Sequence, residues 1–290
     1  MSGADVALAR AAHLLEVNRA EAALDELARL PADVALGVTA FRLRAAALTG
    51  LDRWDEVATA ARQGLAEAGP DAELSARLAL ALRRHGEYAP AERVLIEALA
   101  VEPTNPGLLC QYADLCTAVG QTDKAARLVA RAAALAPRSP AVFASRFQVA
   151  YVQGRHRAAE RIARDFLGAW PDDPAALAMH GLAAAQRGRM GAAYRSFGQA
   201  VSHSPDDVGA ADAAWEARLH VHPLLLPLRP LRRWGMLRTW LVAVAMMALP
   251  ALAGLDLLAG LLGLLWITYC AYALIAPALV RRLVQGRWRP

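Results

Sequence analysis

A glycine recurs every 34 residues, at Gly86, Gly120, Gly154 and Gly188, and a proline keeps the same step at Pro103, Pro137, Pro171 and Pro205. A second, mostly small position stays in phase through Ala23, Val57, Ala91, Ala125, Ala159 and Ala193. Such a period restricts the chain to an array of short units, each burying its apolar face on the next. In "LALALRRHGEYAPAERVLIEALAVEP" apolar residues three and four apart predict two helices. Gly86 permits the positive φ that closes the first helix, and Pro103 stops the second. Ala79 and Ala91 are small where two antiparallel helices approach closely, while Leu95 and Ala98 face the neighbouring unit.

The period, the small residue of the first helix, the Gly-x-aromatic turn and the final proline, as in "GEYAPAERVLIEALAVEP", resemble the tetratricopeptide repeat family. The match is strongest over residues 72–205, where Gly181, Gly188, Ala193, Phe197, Ala200 and Pro205 give another near-consensus unit. Two looser units precede it, with Asn18 and Asp52 in the glycine place and Trp54 in the aromatic one. Phe147 and Phe166 stand where small residues are expected. Residues 208–220 continue the phase as a first helix without a second, the pattern of a capping helix. The expected fold is therefore all-α: a tetratricopeptide-like helix-turn-helix solenoid of about six repeats plus a capping helix over residues 1–220, followed by two transmembrane helices.

The resemblance implies a protein or peptide partner and places Arg42, Glu73, Arg77, Gln111, Asp114, Ser145, Gln148 and Tyr151 on a concave groove lined by the first helices. The family's carboxylate-gripping set of two Lys, two Asn and one Arg is missing, since Lys124 is the only lysine. From Lys124 to Arg164 nine basic residues face one acid, Glu160, which reads either as a surface for an acidic peptide or as a solvated convex face.

Charge is divided unevenly. Residues 1–217 carry 23 basic side chains against 26 acids, while residues 218–290 carry nine arginines against Asp256 alone. Basicity that flanks apolar segments is the pattern of a membrane anchor and not of a nucleic-acid-binding face. Cys110, Cys116 and Cys270 form no Cys-x-x-Cys pair and read as small apolar residues. His220 and His222 offer two metal ligands where a site needs at least three, and no nucleotide loop or nucleophile elbow is present. The reading is of a protein that is no enzyme and takes no cofactor or metal. The N-terminus has no secretory pattern.

Past the repeats, residues 221–236 read as a Pro- and Arg-rich interfacial linker, residues 237–280 as a transmembrane hairpin and residues 281–290 as a basic cytoplasmic tail. Pro223, Pro227 and Pro230 break helical continuity in the linker. One helix over the 42 residues from Thr239 to Val280 would reach roughly 63 Å, about twice a hydrocarbon core, so two spans are expected near 237–255 and 257–280. Arginines at 229, 232, 233 and 238 before them, and at 281, 282, 287 and 289 after them, place both flanks in the cytoplasm of a bacterial cell, with the inner membrane as site. Trp234, Trp240 and Trp288 suit interfacial anchors. Asp256 in "PALAGLDLLAG" falls where the hairpin turns, with Gly254 ending the first helix and Asp256 capping the second; the rival reading makes Asp256 a working intramembrane carboxylate. Functionally, the chain reads as a membrane-anchored scaffold, adaptor or assembly factor; the alternative is a transport or channel subunit in which the hairpin acts.

Overall fold

The computed structural model describes residues 3–204, 208–221, 224, 227, 229–252 and 255–285. The expectations attached to Gly254, His222, Pro223 and Trp288 lie outside the described residues. The chain forms two compact units, residues 1–170 and 171–290.

The first unit contains five helix pairs: α1 (Gly3–Glu16) with α2 (Ala20–Ala28), α4 (Val38–Gly50) with α5 (Trp54–Ala68), α6 (Ala72–Arg84) with α7 (Tyr88–Val101), α8 (Pro106–Ala118) with α9 (Thr122–Leu135), and α10 (Pro140–Val152) with α11 (His156–Ala169). A one-turn helix, α3 (Ala32–Ala35), intervenes after the first pair and has no counterpart in the sequence pattern. The second unit holds a sixth pair, α12 (Pro174–Gln186) and α13 (Met190–His203), then α14 (Val208–Val221), α15 (Arg229–Leu252) and α16 (Asp256–Gln285). Helix α14 packs on α13 in the capping role, and Ala217 joins Ala184, Ala193 and Phe197 in one apolar core.

The turn inside every pair is the same backbone object. Gly86, Gly120, Gly154 and Gly188 have φ of 78°, 81°, 69° and 70°, and Asn18 and Asp52 take 57° and 55° in the equivalent places. The residue after each donates its N–H to the carbonyl five residues earlier, as in Glu87 to Leu82 (2.9 Å), Gln121 to Cys116 (2.8 Å), Arg155 to Ala150 (2.9 Å) and Arg189 to Ala184 (2.9 Å). The same bond joins Arg19 to Leu14 (2.8 Å) and Arg53 to Leu48 (3.0 Å) in the two looser units. This is the Schellman closure, which satisfies carbonyls orphaned at a helix end. Asn and Asp enter the left-handed region more readily than other side chains, which is why units without the glycine still close.

Small residues hold the helices close. Ala23, Ala91, Ala125 and Ala193 are fully buried, and Ala79 and Leu95 almost so. Gly181 lies so near Phe197 that an added Cβ would sit 2.9 Å from the ring. Phe147 and Phe166 are accommodated by stacking: Phe143 and Phe166 lie 5.1 Å apart and nearly parallel, and Phe147 stacks on Tyr151 at 5.7 Å. The backbone is unaffected, since Trp170 N–H bonds Phe166 O at 2.8 Å as Glu102 N–H bonds Ala98 O at 2.9 Å in an alanine unit.

The C-terminal region departs from expectation in detail. Helix α15 starts at Arg229, inside the stretch expected to be linker, because Pro230 occupies its first turn, where no N–H is needed. The break expected near the middle of the apolar run is present, with α15 ending at Leu252 and α16 beginning at Asp256. Leu255 N–H bonds Pro250 O (2.9 Å), and Leu258 N–H bonds Leu255 O (3.0 Å) across the start of α16. Among the described residues, no helix is long and apolar enough to cross a membrane, so the two expected spans are not found as such. For α15 the reason is visible: four arginines occupy its residues 229–238. The apolar remainder, Thr239–Leu252, is shorter than the ~20 residues of a span.

The turn geometry makes the sign of a glycine substitution depend on its place. Gly120→Ala, at a φ of 81°, is expected to destabilise by about 1–2 kcal/mol. Gly198→Ala, at an exposed helical site with open space around it, is expected to stabilise by about 0.4–1 kcal/mol. Thermal melts of the two variants against the parent chain should move in opposite directions.

Candidate functional site

The eight residues expected on the groove all lie on the first helices of the first unit. Arg42 is on α4, Glu73 and Arg77 on α6, Gln111 and Asp114 on α8, and Ser145, Gln148 and Tyr151 on α10. These four helices touch in succession, α4 on α6, α6 on α8 and α8 on α10, which makes their polar positions one surface. Local sequence starts α6, α8 and α10 in register. Asp71 and Asn105 accept from the N–H groups of Leu74 (2.9 Å) and Leu108 (3.1 Å) as N-caps, and Pro106 and Pro140 open α8 and α10.

At one end the surface is an ion network. Arg42 donates from both Nε (3.0 Å) and Nη2 to the buried Asp71 carboxylate, and its Nε lies 3.9 Å from Glu73. Glu73 in turn accepts from Arg77 Nη2 at 2.9 Å, and Arg77 Nη1 reaches Thr49 Oγ1 at 3.4 Å. Burial pushes the Asp71 carboxyl up, but the Arg42 hydrogen bond, the Leu74 N–H and the Arg42 charge together hold it below its ordinary value. Asp71 was not among the residues expected to form the surface; its place directly before a first helix, three residues from Leu74, was the available signal.

In the middle the surface turns inward. Asp114 is largely shielded, and burial raises its carboxyl above the usual carboxylate range against the pull of the Ser145 hydrogen bond and the Arg83 charge. Ser145 is 2% exposed. Cys110 beside it is pushed up to about 11 by burial, so its thiol stays protonated. The buried side-chain atoms that lack a hydrogen-bond partner, among the described residues, are Arg77 Nε, Arg83 Nε and Asp114 Oδ1, all on α6 and α8. At the far end Gln148 is exposed and Tyr151 stands edge-on to His156 at 6.4 Å.

In the basic stretch from Lys124 to Arg164 the arginines are exposed and Lys124 is half-buried. Lys124 donates to Glu92 at 2.8 Å and lies 4.4 Å above the Tyr112 ring, while the Tyr112 hydroxyl donates to the same carboxylate at 2.7 Å. Arg164 pairs with Glu160 (3.2 Å), and Arg131 donates to Pro103 O (3.3 Å). The cysteines Cys110 and Cys116 are buried and Cys270 is exposed. Among the described residues no three His, Cys, Asp or Glu side chains gather to hold a metal ion.

The buried carboxylate sets a test. Its raised pKa means that the folded state favours the proton, so ionisation at neutral pH costs stability and the cost disappears as pH falls through the folded pKa. Asp114→Asn keeps an acceptor for Ser145 and carries no charge. It is expected to melt higher than the parent at pH 7, with the gap closing toward acid; a gap that widened toward acid would contradict the assignment.

Residues 82–146 match the family model described as tetratricopeptide repeat. No curated protein sequence matches the chain. A tetratricopeptide repeat protein from Parabacteroides merdae is similar in structure, with a TM-score of 0.64 at 14% identity, covering 74% of this chain and 84% of that one. A thermophilic TPR protein of Thermus thermophilus aligns at a TM-score of 0.58 and 20% identity over 63% of this chain and 99% of its own. PilW, a type IV pilus biogenesis factor, aligns at 0.55 and 18% over 73% and 98%. The Cut9–Hcn1 hetero-tetramer of the APC/C aligns at 0.60 and 16%, where this chain covers 74% of itself and only 42% of its counterpart. At these identities the likeness concerns the fold. A tetratricopeptide repeat is recognised over residues 82–146, and the all-α fold of helix pairs is like that of solved tetratricopeptide-repeat proteins.

Proposed function

We propose that the chain is a protein-binding adaptor or assembly factor that docks a protein or peptide on the first-helix surface of its N-terminal unit and keeps it beside a membrane through α15 and α16. The observation that carries the docking half is the succession α4, α6, α8, α10, which presents polar and charged side chains from four repeats on one face over a rigid core. Glu73, Gln148 and the exposed part of Arg42 are the accessible contacts; Asp114 and Ser145 shape the floor. Of the proteins that share this fold, PilW is a type IV pilus biogenesis factor and Cut9 stands in a hetero-tetramer with Hcn1, roles of the kind proposed here.

The membrane half rests on chemistry. Leu241, Leu249 and Leu252 of α15 and Leu257, Leu261, Leu264, Leu265 and Leu274 of α16 are each more than half exposed. A run of that many open leucines on two adjacent helices is costly in water, at about 25 cal/mol for each Å² of apolar surface. The run Leu257–Val280 corresponds to about 36 Å of helix, which supports an association of α16 with the apolar part of a bilayer. Arg238 at the start of the apolar part of α15 suits a side chain that snorkels to the headgroups. Arginine on both flanks orients the repeats and the tail to the cytoplasmic side.

Crosslinking pull-down from membranes tests the docking half. Gln148→Lys, at an exposed site outside the ion network, is expected to reduce capture of the partner about tenfold while leaving the melting curve in place; unchanged capture moves the site elsewhere. For the membrane half, reporters fused at Ser2 and Pro290 should both read cytoplasm, and the protein should resist carbonate extraction. Full release by carbonate would defeat the anchor.

A further inference from the structure

Helices α15 and α16 do not close on each other completely. Between them lies an open groove of about 330 Å³, lined by Thr239, Val242, Ala243 and Met246 from α15 and by Leu265 and Trp266 from α16. Pro227 and Tyr269 complete the lining, and the Tyr269 hydroxyl donates to Pro227 O at 3.1 Å. Tyr272 likewise donates to Leu224 O, so Leu224 and Pro227 are each tied to a tyrosine of α16.

Among the described residues that line the groove none is charged. Water there would find few of the two to four polar partners that hold a buried molecule, and a polar ligand would find nothing to orient it. From Thr239 to Met246 it follows α15 for about 10 Å, a shape suited to a chain and not to a compact ring. The polar end of its surroundings is as definite. Thr239 follows Arg238, which is exposed, and α15 brings Arg229, Arg232 and Arg233 in the turns before it with no acid among them. An apolar slot that begins at a cationic helix end has the charge order of an anionic phospholipid.

We propose that this groove takes one acyl chain of an anionic phospholipid, with the headgroup phosphate at the Arg238 end of the groove. The inference rests on the membrane association proposed above and adds to it a lipid held in a slot. The chain fills space that side chains leave open, each buried methylene contributing about 0.8 kcal/mol. The bound lipid thereby becomes part of the contact between the two helices.

The test uses the full chain in mild detergent and native mass spectrometry with added phosphatidylglycerol or phosphatidylcholine. One phosphatidylglycerol is expected to stay bound, in preference to phosphatidylcholine. Val242→Trp, which fills the groove from a half-exposed position, is expected to lower occupancy about tenfold, or ~1.4 kcal/mol. Leu249→Trp on the exposed side of α15 is expected to retain it, and Met246→Leu, which conserves volume, also. Arg238→Gln is expected to narrow the preference between the two lipids without abolishing occupancy. Circular dichroism on each variant separates lost binding from lost helix. A lipid-free dimer that Val242→Trp dissociates would assign the groove to a second copy and overturn the proposal, as would equal losses in Val242→Trp and Leu249→Trp. Flotation with phosphatidylglycerol vesicles distinguishes the two levels: a chain that stays out of the vesicles ends both readings, and one that floats yet retains no lipid ends the groove alone.

Discussion

In each helix pair one residue with positive φ lets the N–H that follows it reach back five residues, and the rest of the architecture hangs from that bond. The closure ends the first helix abruptly and sends the second back along it, so the two alanine-rich faces meet at short range. Because the bond recurs from Arg19 to Arg155, successive first helices in the N-terminal unit come to lie side by side. A shared surface is a consequence of a shared turn. Asn18 and Asp52 demonstrate that the requirement is conformational: the left-handed region must be entered, and glycine is only its least costly occupant.

That regularity aligns positions without assigning them equal work. Arg77, Gln111 and Ser145 are one period apart, as are Asp114 and Gln148. Yet Arg77 is drawn into the network of Glu73 and Thr49, Ser145 is buried, and Gln148 is open. The differences come from the neighbours each helix happens to meet. Asp71 shows the same economy: a single carboxylate caps α6 and holds Arg42, joining the stability of a helix to the charge pattern of the surface. A partner on this face would meet an ion-paired end, a buried carboxylate floor and an open glutamine end.

The C-terminal helices follow a different logic. In the repeats, apolar residues point into alanine-lined cores; in α15 and α16 leucines remain open. Two packed helices have too little mutual surface to bury a run that is apolar almost all round, and the groove between them is the inner face of the same shortage. Arginine-bearing turns at the start of α15 shorten its apolar length, which is why the sequence pattern overstated the first span.

Much of the backbone was legible beforehand. Period, turn glycines, closing prolines, the six pairs and the capping helix are local properties of a repeating chain, since each unit contacts chiefly its neighbours and their geometry is written within about 34 residues. The break between the last two helices was legible for the same reason. The short helix α3, the start of α15 at Arg229 and the stacking that absorbs Phe166 were not, because each depends on what lies across the interface. The same holds for the surface. Sequence phase determined which residues stand on the first helices; only tertiary structure decided that Asp71 joins them, that Asp114 is shielded and that Lys124 is held by Glu92 and Tyr112. Which face a residue occupies follows from helical period, a one-dimensional property, whereas burial and pairing depend on distances between helices that the period alone does not contain.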